Sequence, residues 1–256
     1  MLRRVLRVLG LLAVLAHAQP DPAAPVAQQP PAVGRAAVLT TAYGTTFDAY
    51  VNGPGDSAKA VLVLHDRYGL NQEAHDWVDR FAGMGYRAVA IDLYDGRHGN
   101  DWKHATFIMH SIDQVWADSD IAAALDYLKK DHPDRKVVIL GWDYGATQAM
   151  AATLRHPSAV AATVAYYPTR LETDPGMVQA IVNPVLIVVA ERDDELSTEQ
   201  VVAFKDGLSK TRVDFNVMGL DADRDFSNPA NSHYDPAATA TVWEVTQEFL
   251  ARYLGQ

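Results

Sequence analysis

The fold turns on Val137-Val138-Ile139-Leu140-Gly141-Trp142-Asp143-Tyr144-Gly145-Ala146. A short apolar, partly β-branched run reads as a buried strand, and Gly-x-Asp-x-Gly with helix-compatible residues after it reads as a sharp strand-to-helix turn. This is the layout of a nucleophile elbow. The positions two before and two after its middle residue must be small, because the backbone there approaches itself closely. The middle residue is Asp143. A carboxylate in that place is either a nucleophile that attacks carbon or the remnant of a site that has lost its chemistry. Gly-x-Asp-x-Gly alone is also compatible with an ordinary turn, so the flanking chain has to decide.

Outward from the elbow, short apolar runs alternate with amphipathic stretches, as βαβ units on a mainly parallel sheet require. The runs are residues 60–64, 88–91, 137–140, 161–165, 185–189 and 213–217. Between them Ala74, Trp77, Val78, Phe81 and Ala82 fall at helical spacing, and Ile121, Leu125 and Leu128 repeat it. Val242, Val245, Phe249 and Tyr253 share one side of a last helix, and the aromatic residues among all of these are expected in the core. Residues 36–42 and 45–51, with Tyr43-Gly44 between them, predict an antiparallel hairpin leading into the domain.

Residues 1–18 read as an export signal. Arg3, Arg4 and Arg7 precede a short apolar run that ends in the small-x-small site Ala16-His17-Ala18, and cleavage is expected before Gln19. The run is far short of the roughly 20 residues that span a bilayer, so no membrane span is expected once the signal is removed. Residues 19–35, rich in Pro, Ala and Gln, read as a disordered linker, and residues 36–256 as one domain in a secreted or periplasmic protein. Three of the 22 basic residues lie in the signal, which leaves 19 against 32 acidic ones. That balance argues against nucleic acid and anionic membrane surfaces as partners and leaves a small-molecule substrate or ligand; it says nothing of oligomeric state. The absence of cysteine excludes disulfides and thiolate metal sites. There is no Walker A sequence and no Gly-x-Gly-x-x-Gly, and no cofactor or metal is expected.

Ligands of open parallel sheets bind beyond the carboxyl ends of the strands. Charged residues follow five of the six runs: His65-Asp66-Arg67, residues 92–97, Trp142-Asp143-Tyr144, residues 191–194 and residues 221–225. Such a set around an elbow is better explained as a site than as separate helix caps.

HDRYGLN at residues 65–71, GMGYRAVAIDLYDGR at 83–97, the elbow, ERDD at 191–194, and ADRDFSNP followed by HYDP between 222 and 236 together resemble the dienelactone hydrolase family of α/β-hydrolases. The resemblance runs from about residue 60 to the end of the chain. It implies a mostly parallel twisted sheet with helices on both faces. It also implies hydrolysis of small esters or lactones by a Cys-His-Asp triad, with a glutamate near the oxyanion site controlling the cysteine. By the same resemblance Asp143 stands at the nucleophile position, Asp193 at the triad acid, Arg224 at the histidine and Asp66 at the controlling glutamate. Arg97 matches a carboxylate-binding arginine, and His233 stands where members often have an arginine. His65, Asp66, Arg67, Arg97, Trp142 and Tyr144 are the expected substrate-binding set, and Asp143, Asp193, Arg224 and His233 the catalytic one.

The chemistry of these replacements divides the functional expectations. Arginine accepts no proton near neutral pH, so Arg224 cannot serve as a general base. A carboxylate nucleophile suits displacement at saturated carbon, as in haloalkane dehalogenases and epoxide hydrolases, with His233 or His65 activating the water. Three expectations follow: an exported ester or lactone hydrolase with an altered site, a dehalogenase or epoxide hydrolase working through Asp143, and a non-catalytic binding protein on the same fold. Arg224 is expected to lie in a buried ion pair between Asp143 and Asp193, and Arg224→Ala to cost more stability than Asp143→Asn.

Overall fold

The computed structural model describes residues 33–255, so the expected signal and most of the expected linker lie outside the described residues. Among the described residues eight strands run β1 Arg35–Thr40, β2 Thr46–Asn52, β3 Lys59–Leu64, β4 Arg87–Ile91, β5 Lys136–Trp142, β6 Ala162–Tyr166, β7 Val185–Ala190 and β8 Phe215–Leu220. Within the same residues seven helices run α1 Gln72–Gly83, α2 Trp102–Ser111, α3 Gln114–Lys129, α4 Tyr144–Arg155, α5 Pro175–Gln179, α6 Thr198–Ser209 and α7 Pro236–Leu254.

The sheet order is β1-β2-β4-β3-β5-β6-β7-β8. β1 pairs antiparallel with β2 and β2 antiparallel with β4, while the five remaining pairings are parallel. This is the α/β-hydrolase architecture. Its central strands are apolar along their length because helices cover both faces. Val61, Val63, Val138, Leu140, Val164 and Tyr166 meet α1 and α7 on one side. Leu62, Leu64, Val89, Ile91 and Ile139 meet α2, α3 and α4 on the other. Each fully buried Val, Leu or Ile contributes about 1.5–3 kcal/mol to the burial term, so the sheet core dominates the favourable side of folding.

The expected hairpin forms with register Thr40↔Thr46, closed by Thr45 and Thr41. The last strand lies two to three residues later than residues 213–217. Thr211 Oγ1 accepts the Val213 amide at 3.1 Å and holds that residue in a turn, so the ladder to β7 starts at Phe215. α7 is rotated from its expected face. Val242, Trp243, Thr246, Leu250 and Leu254 are buried, whereas Val245, Phe249 and Tyr253 pack at the rim. Tyr253 is held outside by its hydroxyl, which donates to Asp214. α2 gives no periodic signal because Trp102 and Phe107 stay exposed while Ala105, Ile108 and Met109 are buried; it begins at the Asp101 cap.

Candidate functional site

The elbow between β5 and α4 holds Asp143 at φ 54° and ψ −116°, in a region a side chain rarely adopts. Its amide donates to the Tyr166 carbonyl at 2.9 Å, which ties the strained residue to the neighbouring strand. The small flanks are a steric requirement. A Cβ on Gly141 would sit 2.4 Å from the Gly145 carbonyl carbon, and one on Gly145 would sit 2.3 Å from the Leu64 carbonyl oxygen.

Asp143 is fully buried, and both its oxygens are taken. Oδ2 accepts from Arg67 Nε at 2.5 Å and from the Arg67 amide at 3.2 Å. Oδ1 accepts from Arg67 Nη2 at 2.6 Å and from Arg224 Nη1 at 2.5 Å. Arg224 also donates to the Tyr167 carbonyl at 2.9 Å and, through Nη2, to Asp193 Oδ2. Asp193 in turn accepts the Glu195 amide at 3.0 Å. The far edge of Arg67 donates to both oxygens of Glu195, at 2.8 and 2.7 Å, and to Thr106 Oγ1 at 3.2 Å. The Trp102 ring lies over the guanidinium, 3.5 Å from Cζ to the ring centroid. Burial works against charge on both arginines, yet the facing carboxylates overcome it and raise both above the ordinary arginine value. Two guanidinium groups thus meet three carboxylates at one point beyond the sheet.

A second set of carboxyls adjoins this network. Burial, then the charges of Glu73 and Asp143, pushes Asp66 well above the carboxylate range. Burial, then Asp225, lifts Glu73 to about 8. Burial, then Asp143, lifts Asp225 to about 6, with Arg224 and Arg67 pulling it down. In the unfolded chain these groups titrate near 4, so between that pH and about 8 the folded state binds more protons. Their stabilising contribution is complete at acid pH and is lost as pH rises through the folded values. The melting temperature is therefore expected to fall between pH 5 and pH 8. Glu73→Gln, which keeps the acceptor for Trp77 and removes the charge, should flatten that fall. An equal fall in the variant, read by calorimetry across this range, would refute the assignment.

Several expected site residues lie elsewhere. His65 is buried; its Nδ1 donates to the Asp66 carbonyl at 2.6 Å and its Nε2 accepts the Leu93 amide at 3.1 Å. Burial lowers its pKa, so it is a neutral imidazole with both nitrogens in use and cannot activate water. Trp142 is the last residue of β5 and turns into the core against Trp77 and Tyr166, at 4.9 and 5.6 Å between centroids. Tyr144 is buried against Tyr94, 5.4 Å away. Neither borders the cleft described below. Arg97 is exposed and donates to the Tyr94 carbonyl of its own loop and to Ser111 Oγ at the end of α2, each at 2.9 Å. His233 does border the cleft over this network, but it is exposed on a loop braced by Asn231, while Asp143 lies beneath both arginines. Arg67, Asp193 and Arg224 do converge on the elbow, whereas Asp66 accepts the Tyr68 amide at 2.8 Å and feels Asp143 only through its charge.

Glu195 and Trp102 carried no signal in the sequence. The first stands one residue beyond ERDD, and the second begins the helix that periodicity does not show.

A cleft of about 460 Å³ opens over this network, bordered by Tyr68, Trp102, Arg192, Asp193, Arg224 and His233. A larger depression of about 680 Å³ lies between the end of β1 and α3 and holds none of these groups. Among the described residues no cluster of His, Asp or Glu is arranged to hold a metal ion, and no helix is long and apolar enough to cross a membrane.

The sequence profile of the dienelactone hydrolase family matches residues 47–254. The chain is 26% identical over 225 residues to protein usf of Aquifex pyrophilus, covering 82% of this chain and 95% of the relative. It is 22% identical over 224 residues to carboxymethylenebutenolidase 1 of Cupriavidus pinatubonensis, covering 83% and 94%. Among solved structures, a dienelactone hydrolase-like promiscuous phosphotriesterase from metagenomic libraries superposes with a TM-score of 0.74 at 22% identity, covering 87% of this chain and 99% of that one.

Proposed function

Because the chain belongs to the dienelactone hydrolase family, we propose that it is an exported member whose elbow has exchanged triad chemistry for an ion-pair network and whose cleft binds a small molecule. The observation that carries this is the state of Asp143. Its two oxygens accept four donors from Arg67 and Arg224, so the lone pairs that would attack a substrate are already committed. The position matching the triad histidine is Arg224, which holds its protons through the whole working pH range. His65 is kept from that role by its own hydrogen bonds, and His233, exposed at the border of the cleft, is not among the donors described for Asp143, which are Arg67 and Arg224. Export is part of the proposal and rests on the arginines, apolar run and Ala16-His17-Ala18 of residues 1–18.

One observation favours a second reading, an ester or lactone hydrolase with an altered site. Asp225 borders the cleft and titrates at about 6, which suits a carboxylate that activates water. The two readings separate in a screen of p-nitrophenyl esters, lactones and haloalkanes, run beside Asp143→Ala and Asp225→Asn with folding checked by circular dichroism. We expect no turnover above the heat-denatured control. Turnover that rises with pH through 6 and disappears in folded Asp225→Asn would establish the hydrolase reading. Haloalkane turnover lost only in folded Asp143→Ala would make the elbow carboxylate a nucleophile after all.

A further inference from the structure

Arg67 presents two edges, and the two are used differently. The Nε–Nη2 edge holds Asp143, whose side chain is 1% exposed and fixed by the elbow. The Nη1–Nη2 edge holds Glu195, whose side chain is 28% exposed and stands on the loop between β7 and α6. The hydrogen bonds described for the Glu195 carboxylate all come from Arg67; Arg224 Nη2 stands 3.6 Å from Oε2, beyond hydrogen-bond length. The site around that carboxylate is built. Arg67 is wholly buried, Thr106 fixes Nη1 from the side, and Trp102 roofs the guanidinium while remaining 43% exposed to the cleft.

We propose that the outer edge of Arg67 is a carboxylate-binding seat, occupied by Glu195 in the free protein and taken over by a small carboxylate-bearing ligand when Glu195 swings out. The ligand class follows from the fork. Two parallel N–H donors in one plane match the two oxygens of a carboxylate, and Trp102 limits the space above that plane to a flat group. Charge agrees with it. With Glu195 present, three carboxylates face two guanidinium groups; with Glu195 withdrawn, two face two, and an incoming monoanion restores the original balance. Asp143 could not exchange in this way, because moving it would break the elbow. Arg97, which the family resemblance matched to a carboxylate-binding arginine, is held by the Tyr94 carbonyl of its own loop and by Ser111 at the end of α2, so this seat is a different one.

The proposal deepens the binding reading above and rests on it, yet it is tested by affinity rather than turnover. An internal occupant lowers the apparent affinity for a competitor by the fraction of time the seat is open. Acetate and benzoate should therefore bind the wild-type protein weakly, and Glu195→Ala at least about tenfold more tightly. Glu195→Gln, which keeps one acceptor and folds under the same constraints, should fall between them. Titration calorimetry at constant ionic strength would give the three dissociation constants, with phosphate and chloride as the other anion sources. Saturable carboxylate binding that strengthens in the order wild type, Gln, Ala supports the seat. Equal constants in all three proteins, or phosphate and chloride binding as tightly as benzoate, would overturn it. Ester turnover by the wild type would refute the non-catalytic reading and leave these constants unaffected.

Discussion

Arg67→Ala should be the most damaging single substitution in the charge network, lowering stability by about 3–5 kcal/mol, because removing one partner of a buried ion pair leaves the other charge uncompensated. Asp143 would lose both side-chain donors from Arg67 and keep the backbone amide of position 67 and Arg224 Nη1. Glu195 would lose both of its donors, although its partial exposure lets water replace them. For a domain of this size the loss corresponds to a melting temperature lower by roughly 6–20 °C, at about 2–4 °C per kcal/mol. Arg224→Ala should cost less, since it removes one of the four donors to Asp143 and the bond to Asp193, whose backbone partner Glu195 remains. This order reverses the emphasis of the sequence, in which Arg224 alone was placed against Asp143. The expectation that Asp143→Asn costs less than Arg224→Ala also changes. Every donor at Asp143 is an N–H, so an amide there sets its own N–H against guanidinium or backbone N–H groups on whichever side it faces. Urea denaturation of the three variants would check the order; an Arg67→Ala protein within about 1 kcal/mol of wild type would mean that water or a solution cation compensates the buried Asp143 charge.

Gly145→Ala is expected to abolish folding or leave only insoluble protein. The new methyl would stand 2.3 Å from the Leu64 carbonyl oxygen and 2.4 Å from that of His65, and both are backbone atoms at the end of β3, a central strand. Ordinary overpacking costs about 1–3 kcal/mol because side chains give way, and backbone in a sheet gives way far less. Gly83→Ala is the control. It lies at the end of α1 with open space around its Cβ position, so the change should be neutral or stabilise by about 0.4–1 kcal/mol through the unfolded chain. Soluble expression and melting curves of the pair would test this. A folded Gly145→Ala protein with an unchanged melting temperature would show that the close approach of α4 to β3 is not required.

The sheet, the elbow and the hairpin were legible from residues 36–51 and the apolar runs, because burial on both faces imposes near-continuous apolar strands and the elbow requires its two glycines. The placement of Arg224 between Asp143 and Asp193 was also accessible, because fixed loop positions on a known fold carry their geometry with them. The face of α7 was misjudged because a helix that is apolar around much of its circumference offers several plausible stripes, and only packing against Trp77 and Phe81 selects the one containing Trp243.

The central role of Arg67 belongs to another category. Its neighbours in the chain, His65 and Asp66, turn respectively into the core and toward Tyr68, so sequence proximity said nothing about which of the three would reach Asp143. Its partners come from elements distant along the chain, Glu195 from the loop before α6 and Trp102 and Thr106 from α2. Periodicity records which residues are buried, since burial is set by the environment of one element at a time. Which charged groups neutralise one another is set by where separate elements end relative to one another, and that pairing exists only once the sheet has brought those ends together.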